Sequence, residues 1–239
     1  MRVRVFENPD ALAEMAAAAI ATWLRQAAEA GRASLGLAGG GTPGTTYARL
    51  RDEDTPWERV DAWLGDERWV PPDHPDNNGR LVRRTLLDHV PARFHPVPWE
   101  VGSPEEAARR YEETLRGFLR RVGERLRPDV VVLGLGRDGH CASLFPDAEA
   151  LEERHRLYVA TWVPKLDAWR LTATLPLLHA ARRIVYIVTG HHKARAVAEA
   201  LEEVSGSPAN RVMRGDAEVT WFLDTGAASR LEDTEREFV

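Results

Sequence analysis

Apolar positions along this chain follow two alternating patterns. Short runs rich in apolar or β-branched residues stand at residues 33–37, 60–64, 130–133, 157–163, 183–188 and 219–223, that at 130–133 unbroken. Runs of that kind suit strands covered on both faces, as in a parallel sheet. Helical spacing fills the intervals between them. After Asn8-Pro9-Asp10, which offers a cap and a first-turn proline, Leu12, Met15, Ala19, Ile20, Trp23 and Ala27 fall on one face, and Gly31 closes the helix. Asn78-Gly79 precedes a helix carrying Leu81, Val82, Leu86 and His89. Ser103-Pro104-Glu105-Glu106 reads as a capping box, with Tyr111, Leu115, Phe118 and Val122 as the buried stripe of a helix that Pro128 ends. Residues 170–176 alternate in period two and predict a strand entering a turn. A last helix carries Ala196, Val197, Ala200 and Leu201, and the acidic tail from Glu232 reads as frayed and solvated. Strands and helices alternate without a repeat, low-complexity segment or long linker. The pattern predicts one α/β domain over residues 1–239, a doubly wound, largely parallel sheet flanked by helices.

Composition narrows the function classes. The hydrophobic fraction of 44% is ample for a core, and a net charge of -5 gives no basic footprint for nucleic acid. No apolar run approaches the roughly 20 residues of a membrane span, so no membrane partner is expected. Met1-Arg2-Val3-Arg4-Val5-Phe6 leads into a mixed helix and not the apolar stretch of a secretory leader, so the protein is expected to be soluble and cytoplasmic. Cys141 is the only cysteine, which rules out an intrachain disulfide and a thiolate metal cluster. Of the 32 basic residues only Lys165 and Lys193 are lysine. A lysine inside a glycine-led loop therefore needs a reason that arginine would not satisfy.

Candidate chemistry gathers where strands run out. Residues 130–133 pass into Gly134-Leu135-Gly136-Arg137-Asp138-Gly139-His140, whose glycines permit sharp turns and close approach of a ligand. In open α/β sheets ligands bind at that edge. The glycines match a dinucleotide fingerprint in spacing, but His140 and Pro146 suit a loop better than the start of a helix. Gly39-Gly40-Gly41-Thr42-Pro43 follows an earlier strand and forms a cradle in which backbone N–H groups and a helix N-terminus would face an anion. Asp66-Glu67-Arg68 follows another strand in a loop between Gly65 and Pro71. Lys193, after Gly190-His191-His192, opens a helix against the sense of its dipole, a conflict that a bound phosphate removes. His191-His192 lacks a third ligand at diagnostic spacing, so no metal is expected.

The stretch from Gly136 to Pro146, reading Gly-Arg-Asp-Gly-His-Cys-Ala-Ser-Leu-Phe-Pro, resembles the signature of the 6-phosphogluconolactonase family, which shares a fold with glucosamine-6-phosphate deaminase. The glycine loop, the Asp66-Glu67-Arg68 triplet and Arg170 are similar to further motifs of that family, in its order. Three positions depart from it: Gly41 stands where serine is frequent, Gly79 where an aromatic is common, and Cys141 where threonine is usual. The resemblance implies hydrolysis of a small sugar-phosphate lactone, 6-phosphoglucono-δ-lactone, in the pentose phosphate pathway, with no cofactor. It implies His140 as the base that activates water and Asp66 as the group that orients or charge-stabilises the imidazole. Gly40, Gly41, Thr42, Arg68, Arg170 and Lys193 are then the phosphate-binding candidates. Cys141 as a thiol nucleophile is disfavoured, since adjacent side chains point apart. An aminosugar deaminase would place an acidic residue shortly after the histidine, where this chain has Ser143-Leu144-Phe145-Pro146. A sugar-phosphate sensor would need a helix-turn-helix segment that the pattern leaves no room for. The oligomeric state stays open, a monomer included.

Overall fold

The computed structural model describes residues 1–202, 205–232 and 237–238. In chain order the first half comprises β1 (Arg2–Phe6), α1 (Pro9–Ala28), β2 (Ala33–Leu37), α2 (Gly41–Leu50), β3 (Val60–Leu64), β4 (Asp66–Arg68), α3 (Asn78–Val82), β5 (Arg93–His95) and α4 (Pro104–Phe118). Then come β6 (Arg120–Val122), β7 (Arg125–Arg127), β8 (Val130–Leu133), α5 (Glu149–Glu152), β9 (Tyr158–Val163) and β10 (Ala168–Ala173). The remainder is α6 (Leu175–His179), β11 (Arg183–Val188), α7 (Ala194–Leu201), α8 (Pro208–Met213), β12 (Glu218–Asp224) and β13 (Glu237–Phe238). None of the described helices is long and apolar enough to cross a membrane.

Five of the six runs, with β1, β5 and β13, form one sheet in the order β13-β1-β12-β11-β8-β2-β3-β5, in which every neighbouring pair is parallel, while the run at 157–163 is β9 of a second sheet. Successive side chains of a strand face opposite ways, and β8 shows why its run has no polar gap. Val130 and Val132 pack into the core under α1 and α2, while Val131 and Leu133 enter the opposite core with Tyr111 of α4 and Val197 of α7. From β2 the chain proceeds to β3 and β5 on one side, whereas from β8 it proceeds to β11 and β12 on the other. The order of strands thus reverses between β2 and β8, and the loops beyond their carboxyl ends frame the crevice where α/β sheets take ligands. That junction has only two register pairs, Leu35 with Val130 and Gly36 with Val131. Below them the buried Asp129 carboxylate accepts from the Ser34 N–H at 2.9 Å and its hydroxyl at 3.0 Å.

Several local expectations shift. The buried face of α1 is Leu12, Ala13, Ala16, Ala17, Ile20, Ala21, Leu24, Ala27 and Ala28, leaving Met15, Ala19 and Trp23 on its margin. Alanines at those positions let the helix lie close to the sheet. Helix α4 stops at Phe118 and does not run toward Pro128, because Leu119 turns extended and β6 and β7 pair as a hairpin around Gly123 at φ 59°. Val122 is consequently exposed. Only half of the capping box forms: the Ser103 hydroxyl accepts from the Glu106 N–H at 3.2 Å, but the Glu106 carboxylate turns to Arg109 and Arg110. The triplet Asp66-Glu67-Arg68 is a strand where a loop was expected, paired antiparallel with β10 in a second sheet of order β4-β10-β9. Of the acidic tail, residues 233–236 and 239 lie outside the described residues, and β13 pairs with β1.

Candidate active site

Loops from four strand ends meet over the crevice. Beyond β2, Gly40 at φ 101° turns the backbone into α2, and Asn78 lies so close to Gly39 that a Cβ there would stand 1.8 Å from its Oδ1. Beyond β3, the period of β4 sorts the acidic triplet. Asp66 and Arg68 line the cleft, while Glu67 points away from it and accepts from the N–H groups of Arg68 at 2.7 Å, Asn78 at 2.7 Å and Gly79 at 2.8 Å. Burial pushes the Glu67 carboxyl up to about 7, the three N–H donors pulling the other way. Asp66 accepts from the Ser143 hydroxyl at 2.8 Å and from the Asn78 amide at 3.4 Å.

Beyond β8 the chain doubles back within a few residues. The Gly136 N–H donates to the His140 carbonyl at 2.7 Å and Gly139 takes φ 79°. Gly136 has to be glycine, since a Cβ would fall 2.0 Å from His140 Nδ1. That nitrogen lies 2.5 Å from Asp138 Oδ1, and the other Asp138 oxygen pairs with Lys165 from the turn between β9 and β10. Lys165 also lies over the Phe145 ring at 4.4 Å, and the same ring packs on the His140 imidazole at 4.2 Å. The carboxylate in hydrogen-bond contact with the imidazole is Asp138. Two residues after a glycine turn, a side chain can fold back on its neighbour, whereas Asp66 is engaged by Ser143 and Asn78. Asp66 still acts on the imidazole through its charge, raising the pKa that burial lowers.

Beyond β11, the Gly190 N–H donates to the Asp224 carboxylate at 2.9 and 3.0 Å, and a short turn ends at Lys193. Lys193 Nζ donates to the Leu135 carbonyl at 2.6 Å, which joins this turn to the loop after β8. Burial, then the nearby Arg137 charge, push its pKa down. Thr42 and Thr189 share a hydroxyl–hydroxyl bond of 2.8 Å, joining the loops after β2 and β11. His191 bonds the Ser229 hydroxyl at 2.9 Å, and the described residues contain no group of three or more His, Cys, Asp or Glu side chains suited to a metal.

These loops enclose a cleft in two lobes. One, of about 400 Å³, is lined by Gly40, Gly41, Thr42 and Lys193, and the other by Arg170, Lys165 and Phe145. Asp66, Arg68, Arg137 and His140 line both. The phosphate candidates are thus divided: the glycine loop and Lys193 lie on one side of His140, Arg170 on the other. Arg170 and Arg68 are directly opposed across β10 and β4, and burial followed by the Arg68 charge lowers the Arg170 pKa. Like charges facing each other across a strand pair are unfavourable, and an anion between them removes the cost. Cys141 is buried against Tyr186, and burial pushes its thiol up to about 12, which disqualifies it as a thiolate nucleophile.

Sequence reasoning missed Arg137, Asp138 and Lys165. The first two stood inside the motif itself. The signal for Lys165 was the scarcity of lysine, because both lysines of the chain border this cleft.

Comparison with known proteins bears on the family and the fold. Residues 7–221 match the family described as glucosamine-6-phosphate isomerases/6-phosphogluconolactonase. A 6-phosphogluconolactonase of Synechocystis is 38% identical over 237 residues, covering 96% of this chain and 98% of its own length. The 6-phosphogluconolactonase structure from Trypanosoma brucei superposes with a TM-score of 0.85 at 29% identity, covering 97% of this chain and 98% of that one. A monomeric glucosamine-6-phosphate deaminase shares the fold, with a TM-score of 0.79 at 24% identity, covering 96% and 99% of the two chains. The chain belongs to the glucosamine-6-phosphate isomerase/6-phosphogluconolactonase family.

Proposed function

We propose that this cleft hydrolyses 6-phosphoglucono-δ-lactone to 6-phosphogluconate, a step of the pentose phosphate pathway, with His140 activating the attacking water. The observation that carries the reading is the placement of the imidazole, which lines both lobes while its Nδ1 is committed to Asp138. A carboxylate accepting from Nδ1–H leaves Nε2 unprotonated and able to take a proton from water. The water oxygen bonds to the lactone carbonyl carbon and the π electrons pass to the carbonyl oxygen. When the tetrahedral intermediate collapses, the ring C–O bond breaks and the imidazolium returns its proton to the departing ring oxygen. The sum is one water added across one C–O bond.

Asp138 stabilises the imidazolium. Burial alone would raise its carboxyl, but Lys165 and His140 hold it well below the usual carboxylate range. The loop of Gly40, Gly41 and Thr42, with Lys193 and Arg137, is suited to the dianionic phosphate. Arg170, on the other side of the imidazole, and Arg68, which borders both lobes, are suited to the carbonyl end, where negative charge develops. Relatives bearing the name 6-phosphogluconolactonase support the same substrate. The run Ser143-Leu144-Phe145-Pro146, with Phe145 packed on the imidazole, carries no acidic residue and so argues against the deaminase reading.

The test is His140→Ala with freshly prepared lactone, spontaneous opening subtracted. The kcat falls by roughly 10²–10⁴, the usual worth of a positioned base, while 6-phosphogluconate still binds. Corrected activity within a few-fold of the unsubstituted protein would remove His140 as the base.

A further inference from the structure

The chain is acidic, with a net charge of -5, yet a cavity outside the cleft is strongly basic. It has a volume of about 570 Å³ and is lined by Arg116, Arg125, Arg154, Arg211 and Arg214. None of its lining residues borders either catalytic lobe. The arginines come from four separate places: α4, the β6–β7 hairpin, the segment before β9, and α8 with the residue that follows it. Their convergence is therefore a product of the tertiary fold and not of a basic run in the sequence.

Charge compensation around this cavity is incomplete. Glu112 is shared by Arg116 and Arg156, at 2.6 Å each, and Glu152 is shared by Arg154 and Arg211. Asp216 pairs with Arg125 at 3.0 Å. Arg214 donates to neutral acceptors, the Asn210 side-chain oxygen at 2.9 Å and the Ser205 carbonyl at 2.8 Å. Glu124 is the single carboxylate on the wall. The hairpin that carries Arg125 adds Arg120, Arg121 and Arg127, all within residues 120–127. Concave walls concentrate such a field, and guanidinium forks fit phosphate oxygens in pairs.

The lining is not all polar. Leu126, Leu157, Leu175 and Pro176 belong to it beside the arginines. Cationic and apolar groups lining one cavity, at a volume normal for small-ligand sites, suit a ligand with a multiply charged head and an apolar or planar body.

We propose that this cavity is a second ligand site, separate from the catalytic cleft, that binds a small molecule bearing a diphosphate group. Inorganic pyrophosphate and a nucleoside diphosphate both carry that group, and the apolar part of the lining favours the nucleotide. The inference does not depend on the reaction assigned to the cleft. It is tested by calorimetric titration of ADP and, separately, pyrophosphate into the whole chain, with three variants alongside. Arg125→Glu lies on the exposed hairpin and should leave lactone hydrolysis unchanged. Arg214→Gln removes the guanidinium that has neutral partners. Lys193→Ala reports on the catalytic cleft. Binding that weakens at least tenfold in Arg125→Glu and in Arg214→Gln, but not in Lys193→Ala, supports the site. Tighter ADP identifies a nucleotide, and equal or tighter pyrophosphate identifies the free anion. No titratable heat from either probe, or binding lost only in Lys193→Ala, overturns it.

Discussion

His140 titrates under opposed influences. Burial lowers its pKa most, Asp138 and then Asp66 raise it, and the Lys165 charge lowers it further, leaving it below 6.5. An imidazole that must accept a proton is inactive once protonated, so kcat/KM should fall as the pH drops through that lowered value. Asp138→Asn removes a raising influence and should move this acid limb to lower pH. It should also cut kcat by roughly 10²–10⁴, as loss of an orienting carboxylate does elsewhere. Lys165→Met removes a lowering charge and should move the limb upward. Opposite displacements in the two pH profiles are expected, and displacement in one common direction would show that the Asp138–Lys165 pair does not govern the imidazole. Cys141 belongs to the same scale. With its thiol pushed up to about 12 it carries little thiolate at neutral pH. Cys141→Thr should keep most activity, and alkylation of the native protein should be slow; a folded but inactive variant would return the sulfur to the mechanism.

At the scale of elements, the strand ends were legible because buried parallel strands leave short, largely apolar runs, and β2, β3, β8 and β11 match theirs residue for residue. The glycine loops, the triplet and Lys193 were legible as punctuation at those ends. What was hidden depended on pairing. Only the antiparallel register of β4 with β10 shows that Glu67 turns away from Asp66 and Arg68, and composition does not encode register. The β9–β10 turn that delivers Lys165 to Asp138 is likewise a tertiary fact. Val122 failed for a related reason: helical spacing persisted past Phe118, but Gly123 redirected the backbone. Glu67 then has a structural task, anchoring the start of α3 to β4. Glu67→Ala strands three N–H donors, each costing about 1–3 kcal/mol when buried and unpaired. A loss of about 3 kcal/mol or more in urea unfolding is expected; a loss below about 1 kcal/mol would mean that water replaces the carboxylate fully.

At the scale of the molecule, the cleft depends on strands that contribute nothing to its walls. Every candidate site residue precedes α7, yet the turn ending at Lys193 is held by Asp224 at the end of β12. A chain stopped after Asp216 retains all of those residues but lacks β12, and should neither fold nor bind 6-phosphogluconate. Circular dichroism and calorimetry would check this, and retained binding would sink the argument. β1 is affected in the same way, since it lies between β12 and β13, with Arg2 opposite Thr220 and Phe6 opposite Asp224. During synthesis β1 leaves the ribosome roughly 210 residues before β12, some tens of seconds at about 5–20 residues per second. Through that interval Val3, Val5 and Phe6 have no β12 to pair with, so an early strand of the sheet is secured late. Until β12 emerges, β1 is an apolar segment with no edge to join.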